Sequence, residues 1–222
     1  MDFRYLYKKV KKTISYKFKS SKSIFSEIYH NNSWNAQNSV SGPGSELPVT
    51  SVIIEEIPFI IKETNAKILL DAPCGDFHWM KETKLDLDKY IGVDIVPEII
   101  ANNQQKYSNE TRTFINLDII KDRLPQADMI LCRDCLVHLS FKNVFTTIKN
   151  FKESNSKYLL TTTFPELREN RNIDTGLWRP INLQIKPFSF PNPIKLINEK
   201  FSENGKYTDK SLGLWKLEDI SA

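Results

Sequence analysis

Apolar positions along the chain fall into two rhythms. Between about Ala66 and Phe164, dense apolar runs alternate with longer segments whose apolar residues recur every three or four positions. The dense runs are "AKILLDA", "KYIGVDI", "TRTFINLDI", "ADMILCRDCL" and "SKYLLTTTF", and they read as strands. Between them, "VPEIIANNQQKYS" and "FKNVFTTIKNFKES" read as helices, the first with Pro97 in its opening turn. A short helix follows the turn at Pro73–Gly75. Strands alternating with helices predict an α/β domain whose sheet is parallel, with right-handed crossovers. Upstream, "SVIIEEIPFIIKET" predicts a buried helix capped by Thr50 or Ser51, with Pro58 kinking it or starting a new turn. From about Glu166 the rhythm breaks up, and "GLWKLED" reads as a last, antiparallel edge strand.

The first 48 residues differ from the rest. "FRYLYKKVKKTISYKF" puts Phe3, Leu6, Tyr7, Val10, Ile14 and Phe18 at helical spacing with lysines opposite. "NNSWNAQNSVSGPGSELP", Asn31 to Pro48, is loop by its Asn, Ser, Gly and Pro content. Residues 1–22 hold eight basic side chains and one acid, a net of +7, and subtracting this from the chain's +4 leaves −3 for the remainder. The basic helix either docks on the domain or meets an acidic partner or membrane surface. The mildly acidic remainder argues against a nucleic-acid groove. Three cysteines fit a reducing compartment without disulfides. No run reaches the roughly 18 apolar residues of a membrane span, and lysines interrupt any signal-peptide core. A cytoplasmic protein is expected, peripheral to the inner membrane if residues 1–22 bind lipid.

In an open parallel sheet, ligands bind beyond the C-terminal strand ends. The expected ends deliver Asp71 with the turn Ala72–Asp76, then Asp94, Asp118, the pair Arg133 and Asp134, and Thr161–Thr163. Asp94, 23 residues after Asp71, is placed to accept both hydroxyls of a ribose; alone, it also suits a helix N-cap. The first turn has a single glycine, Gly75, between Asp71 and Asp76. A phosphate cradle needs several open N–H groups and no acids beside them. Acids favour a cation, and S-adenosylmethionine (SAM) carries a sulfonium and an ammonium but no phosphate.

The segments "ILLDAPCGDFHW", "YIGVDIVPEII", "FINLDII" and "ADMILCRDCLVHLS" resemble, in order and spacing, the motifs of class I SAM-dependent methyltransferases over about Val52 to Phe164. The resemblance implies a Rossmann-like, seven-stranded, mostly parallel sheet with helices on both faces, here with an N-terminal helical extension. It implies that Asp71 and Gly75 lie by the methionine moiety, Asp94 by the ribose, and Asp118 with Ile119 by the adenine, that Ala72, Ile95 and Arg133 also bind the cofactor, and that the product is S-adenosylhomocysteine (SAH). Pro73 and Asp76 or Phe77 stand where the family has further glycines. "SGPGS", "TTTFPE", "DTGLWRP" and "DKSLGLW" make the whole chain resemble a bacterial subgroup found near surface-polysaccharide genes. That resemblance implies O-methylation of a sugar or sugar-linked phosphate-type group in surface or capsular polysaccharide biosynthesis, on a small-molecule or glycan-precursor acceptor; the alternative is an O- or N-methyltransferase of a small metabolite.

Methyl transfer to a hydroxyl needs a base. His138 is a base, an acceptor-orienting group or a helix-start residue. Asp134 is the base, a partner of the histidine or an acceptor ligand. Arg133 binds an anion, covers the adenine or pairs with an acid. Cys132, Cys135 and His138 lack the second ligand pair of a zinc finger, so no metal is expected. "ENRNIDTGLWRPINLQ" offers Asp174, Trp178, Arg179 and Asn182 as acceptor ligands; otherwise it is a surface loop anchored by tryptophan. Trp34 and "SGPGS" form either a lid or a linker. The expected organisation is a basic helix and lid-like loop over 1–48 and a methyltransferase domain over 49–222, whose residues 166–222 bind the acceptor and supply the final strands.

Overall fold

Leu69 and Leu70 are consecutive, and both are fully buried. Side chains alternate across a strand, so β1 (Ile68–Asp71) has a core on each face. On one face Leu69, Met129, Leu131 and Leu160 meet Ile53, Ile57, Ile60 and Ile61 of helix α2 (Leu47–Thr64) and Ile100 of α3 (Pro97–Tyr107). On the other, Leu70, Val93, Ile130 and Leu159 meet Val144, Ile148 and Phe151 of α4 (Phe141–Glu153), with Phe188, Phe190 and Trp215. The computed structural model describes Tyr16 and residues 18–221. The basic helix expected near the start of the chain therefore lies almost wholly outside the described residues. So does most of the stretch proposed for membrane-surface contact.

The remaining strands are β2 (Lys89–Asp94), β3 (Arg112–Asn116), β4 (Met129–Cys132), β5 (Tyr158–Thr163), β6 (Lys195–Asn198) and β7 (Ser211–Lys216). They form one sheet in the order β3-β2-β1-β4-β5-β7-β6. The first five strands pair in parallel, and β7 runs antiparallel to both β5 and β6. The seven-stranded, mostly parallel α/β architecture is as expected. Because β1 sits between β2 and β4, the strand order reverses beside it, and a crevice opens at its C-terminal end.

Three expectations change. The last strand is not an edge: Ser211 to Trp215 are all buried, because β7 is flanked by β5 and β6. The edge on that side is β6, whose short, half-exposed "KLIN" carries little periodic signal. Helix α2 starts earlier, at Leu47, and Thr50 instead bonds back to the carbonyls of Glu46 and Leu47. It also runs unbroken past Pro58. An interior proline costs about 3 kcal/mol, but Ile53, Ile57, Ile60 and Ile61 are all buried, at about 1.5–3 kcal/mol each. A helix not anticipated, α1 (Ser21–His30), is capped by the Ser20 hydroxyl and buries Ile24 and Ile28. Among the described residues, no helix is long and apolar enough to cross a membrane.

Candidate functional site

A cavity of about 1050 Å³, its open mouth included, lies at the C-terminal ends of β1, β2 and β4. Its floor is the strand ends. Its far wall is the N-terminal segment: Phe25 and Tyr29 of α1, then Trp34, Val40, Ser41 and Ser45. Asp71, Gly75, Asp94, Ile95, Asp118, Ile119, Arg133, Asp134 and His138 all line it. Ala72 does not. It is fully buried in the core behind Pro73, which takes its place in the wall.

The turn after β1 is tight. The Ala72–Pro73 peptide is cis, and Gly75 has φ +53°. Cys74 N–H bonds Val93 O at 2.8 Å, and Asn103 Nδ2 bonds Gly75 O at 2.7 Å. Phe77 and Trp79 are buried, Phe77 among Tyr90, Tyr107 and Phe114, so these aromatics pack the turn against the sheet. Asp71 is buried and accepts the Tyr90 hydroxyl at 2.5 Å. Burial pushes its pKa up to about 7; the Tyr90 bond opposes this and Asp94 adds to it. Asp94 accepts from Gly75 N–H at 3.2 Å and Val96 N–H at 2.9 Å. Its pKa rises to about 6, chiefly by burial against those backbone bonds. Asp94 is not the helix N-cap, which is Val96 and has no side-chain cap bond; its carboxylate closes a local turn at the cavity. β3 ends at Asn116, so Asp118 follows the strand by two residues and accepts from Ile120 N–H at 3.0 Å.

Asp76 has a task the sequence did not suggest. Its carboxylate accepts from Ser39 Oγ at 3.0 Å, Val40 N–H at 2.9 Å and Ser41 Oγ at 3.0 Å. Its own N–H returns a 2.9 Å bond to Ser41 Oγ. The acid beside Gly75 therefore clamps the strap 39–46 across the cavity. Farther along the strap, Gly44 O accepts from Arg133 Nη2 at 2.9 Å. Trp34 lies over the His138 ring with centroids 5.2 Å apart.

Arg133 and Asp134 belong to a four-charge cluster with Glu199 and Lys210. Arg133 Nη2 is 2.6 Å from Glu199 Oε2, and Lys210 Nζ is 2.6 Å from Asp134 Oδ2. Arg133 also covers the Trp79 ring at 5.5 Å. Of the alternatives for Arg133, pairing with an acid is what the geometry displays. Asp134 is held in the left-handed region at φ +51°, its N–H bonded to Thr162 Oγ1 at 2.8 Å. Burial works against its ionisation, but Lys210 and then Arg133 outweigh it and hold the carboxyl at about 2. Held in these ion pairs the carboxyl is a weak base, which favours the other two roles expected of Asp134, partner of the histidine or acceptor ligand. Neither Lys210 nor Glu199 follows a predicted strand end, and Glu199 lies 65 positions after Asp134.

His138 sits in a 3-10 turn, Leu136–His138. Its Nδ1 is 2.9 Å from Leu177 O. A carbonyl only accepts, so Nδ1 carries the hydrogen and Nε2 the lone pair. Burial lowers the His138 pKa; the Leu177 bond and Asp134 oppose the shift. The imidazole is therefore neutral at pH 7, and it lines the cavity. Cys132, by contrast, is fully buried in β4 within the core.

None of the four residues expected to bind the acceptor lines the cavity. Arg179 is buried and donates to Leu136 O, Leu139 O and Arg171 O. Asn182 is buried and ties Pro165 O, Leu167 O and Gln184 N–H. Trp178 is 43% exposed and packs on Phe164 and Tyr207. Asp174 accepts from Leu177 N–H through its main chain at 3.2 Å. Amide and guanidinium groups here satisfy backbone carbonyls of a long coil, a need that leaves no mark in sequence.

Five aspartates line the cavity, and its one lysine or arginine among the described residues, Arg133, is already paired. Such a wall suits a ligand that is cationic at one end and rich in hydroxyls, with no phosphate. Among the described residues no group of three or more His, Cys, Asp or Glu could hold a metal ion.

No family model matches the sequence, and no curated protein is significantly similar to it. Solved structures do share its fold. The N-methyltransferase NodS of Bradyrhizobium japonicum, in complex with SAH, is 10% identical with a TM-score of 0.63, over 86% of this chain and 97% of that one. Magnesium protoporphyrin IX methyltransferase of Synechocystis, with bound SAM, is 14% identical with a TM-score of 0.60, over 89% and 97%. A bacterial methyltransferase domain overlays 52% of this chain and 66% of its own length at a TM-score of 0.44. At these identities the likeness establishes the fold: the sheet is that of the Rossmann-like methyltransferases.

Proposed function

We propose that the protein transfers a methyl group from SAM to a hydroxyl of a sugar or sugar-linked group on a surface-glycan precursor, leaving SAH. The observation that carries the methyltransferase reading is the acid-lined, phosphate-averse cavity at the β1 and β2 ends. When bound, the cofactor supplies an electrophilic methyl carbon on sulfur, whose C–S bond breaks with its electron pair going to sulfur. Asp71 and the backbone at Gly75 would hold the ammonium end. Asp94 would accept the ribose hydroxyls, and Leu117, Asp118 and Ile119 would flank the adenine. His138 would take the acceptor hydroxyl proton at Nε2. Trp34 and the clamped strap would keep water from the reacting oxygen.

The glycan-precursor acceptor rests on the resemblance of "SGPGS", "TTTFPE", "DTGLWRP" and "DKSLGLW". Because Arg133 and Lys210 are both engaged by Asp134 and Glu199, the wall favours a neutral hydroxyl over a phosphate-type group. The same excess of carboxylates favours a second reading, methylation of the amine of a small metabolite. Calorimetry and thermal melts test the cofactor. SAM and SAH should bind and NAD should not. Ligand at about 100 times its Kd should add about 2.7 kcal/mol. If neither SAM nor SAH at millimolar concentration raises the melting temperature, the proposal fails. A screen of sugar nucleotides and amines for a one-methylene mass gain then separates the two acceptors.

A further inference from the structure

Four successive carbonyls of the His138 turn are bonded from one short segment. Leu136 O accepts from Arg179 Nη1 at 2.7 Å, and Leu139 O accepts from Nη2 of the same guanidinium at 2.9 Å. Val137 O accepts from the Arg179 main-chain N–H at 3.1 Å, and His138 O from Gly176 N–H at 2.8 Å. The segment returns one acceptor, Leu177 O, to His138 Nδ1. It has no slack at Gly176, where φ is +93° and an added Cβ would meet Ile24 at 2.4 Å.

Arg179 is 5% exposed, yet among the described residues no carboxylate pairs with it. A buried charge normally takes a counter-charge. This one faces three carbonyls and the Phe141 ring at 5.6 Å. We infer that Arg179 is the positioning residue of the proposed base: its fork fixes the His138 turn, and with it the Nδ1–H bond to Leu177 O that leaves the lone pair on Nε2. The inference rests on the His138 reading of the proposed function. A planar fork reaches Leu136 O and Leu139 O together, spanning the residue it positions; a lysine ammonium is a point charge and lacks that geometry. The charged groups acting on the ring are Asp134, which favours protonation, and Arg179 and Lys210, which oppose it; burial outweighs all three.

The test is nitrogen-detected NMR of the full chain. The chain has three histidines, so His30 and His78 serve as internal references. In the unaltered protein His138 should carry its hydrogen on Nδ1 and titrate below the usual histidine value. Arg179→Met should move that titration upward and mix the two tautomers. Arg179→Lys should keep the titration low, because the charge remains, yet still mix the tautomers, because the fork is gone. SAM affinity should be unchanged in both. If both variants leave tautomer and titration as in the parent, Arg179 is only structural and the inference is overturned. If Arg179→Met does not fold, the tautomer in Arg179→Lys decides alone. Full methyl transfer by His138→Gln would end the base reading without altering these spectra, so the two failures are distinct.

Discussion

Substituting Gly75 by alanine asks whether the strap and the turn after β1 are one mechanical unit. Gly75 has φ +53°, and a side chain in the left-handed region costs about 1–2 kcal/mol. The added Cβ would stand 2.2 Å from Ser41 Oγ, so that hydroxyl must turn away. Turning breaks its bond from Asp76 N–H at 2.9 Å and its bond to Asp76 Oδ1 at 3.0 Å, together about 2 kcal/mol at ~1 kcal/mol each. The expected total is about 3–4 kcal/mol, or a melting temperature lower by roughly 6–16 °C. Ser41→Gly alone removes the same two bonds, for about 2 kcal/mol. The double variant should cost no more than Gly75→Ala, because the bonds can be lost only once. Denaturant unfolding of the four proteins measures this as a coupling of about 2 kcal/mol. Effects that add within ~0.5 kcal/mol, or a Gly75→Ala cost below about 1 kcal/mol, would refute the clamp.

Asp94→Ala should weaken SAM binding by roughly 10- to 100-fold, as loss of one charge-assisted bond implies; an unchanged calorimetric Kd would remove the ribose role. SAM affinity should also depend on pH with a definite sign. Burial holds free Asp71 at about 7 and Asp94 at about 6, whereas a ligand offering hydroxyls and an ammonium favours the ionised carboxylates. Affinity should therefore be full above both values and fall as pH drops through about 7 and then 6; a flat profile would contradict the assignment. His138→Gln should lower kcat by about 10²- to 10⁴-fold with cofactor Kd retained, and full turnover would exclude the base.

The part of the site nearest the parallel strands was legible because strand periodicity and strand-end chemistry coincide there. Asp71, Asp94 and Asp118 follow apolar runs at the points where the sheet delivers them to one edge. What was hidden depended on contacts distant in sequence. Asp76 binds residues 35–37 positions earlier, and Lys210 meets Asp134 across 76 positions. Arg179 and Asn182 were misplaced for a different reason: a guanidinium serving carbonyls and one serving a ligand look alike in sequence. The inner position of β7 was missed because the edge, β6, is four residues long and half-exposed, too weak to compete for that place.

The strap leads to a modularity that the sheet alone would not provide. Residues 21–46 contribute no strand to the sheet, yet Phe25, Tyr29, Trp34 and Val40 furnish one side of the cavity. Their hydrogen bonds to the body near the cavity run through Asp76 and Arg133 Nη2. A chain begun at residue 49 would keep every rung of the β ladder and lose that side of the chamber. Grafting a different strap onto the same two anchors would re-line the chamber while leaving the register of all seven strands as it is. The exchangeable part of such a protein would then lie ahead of the carboxylate motifs, in the stretch that composition alone would dismiss as a linker.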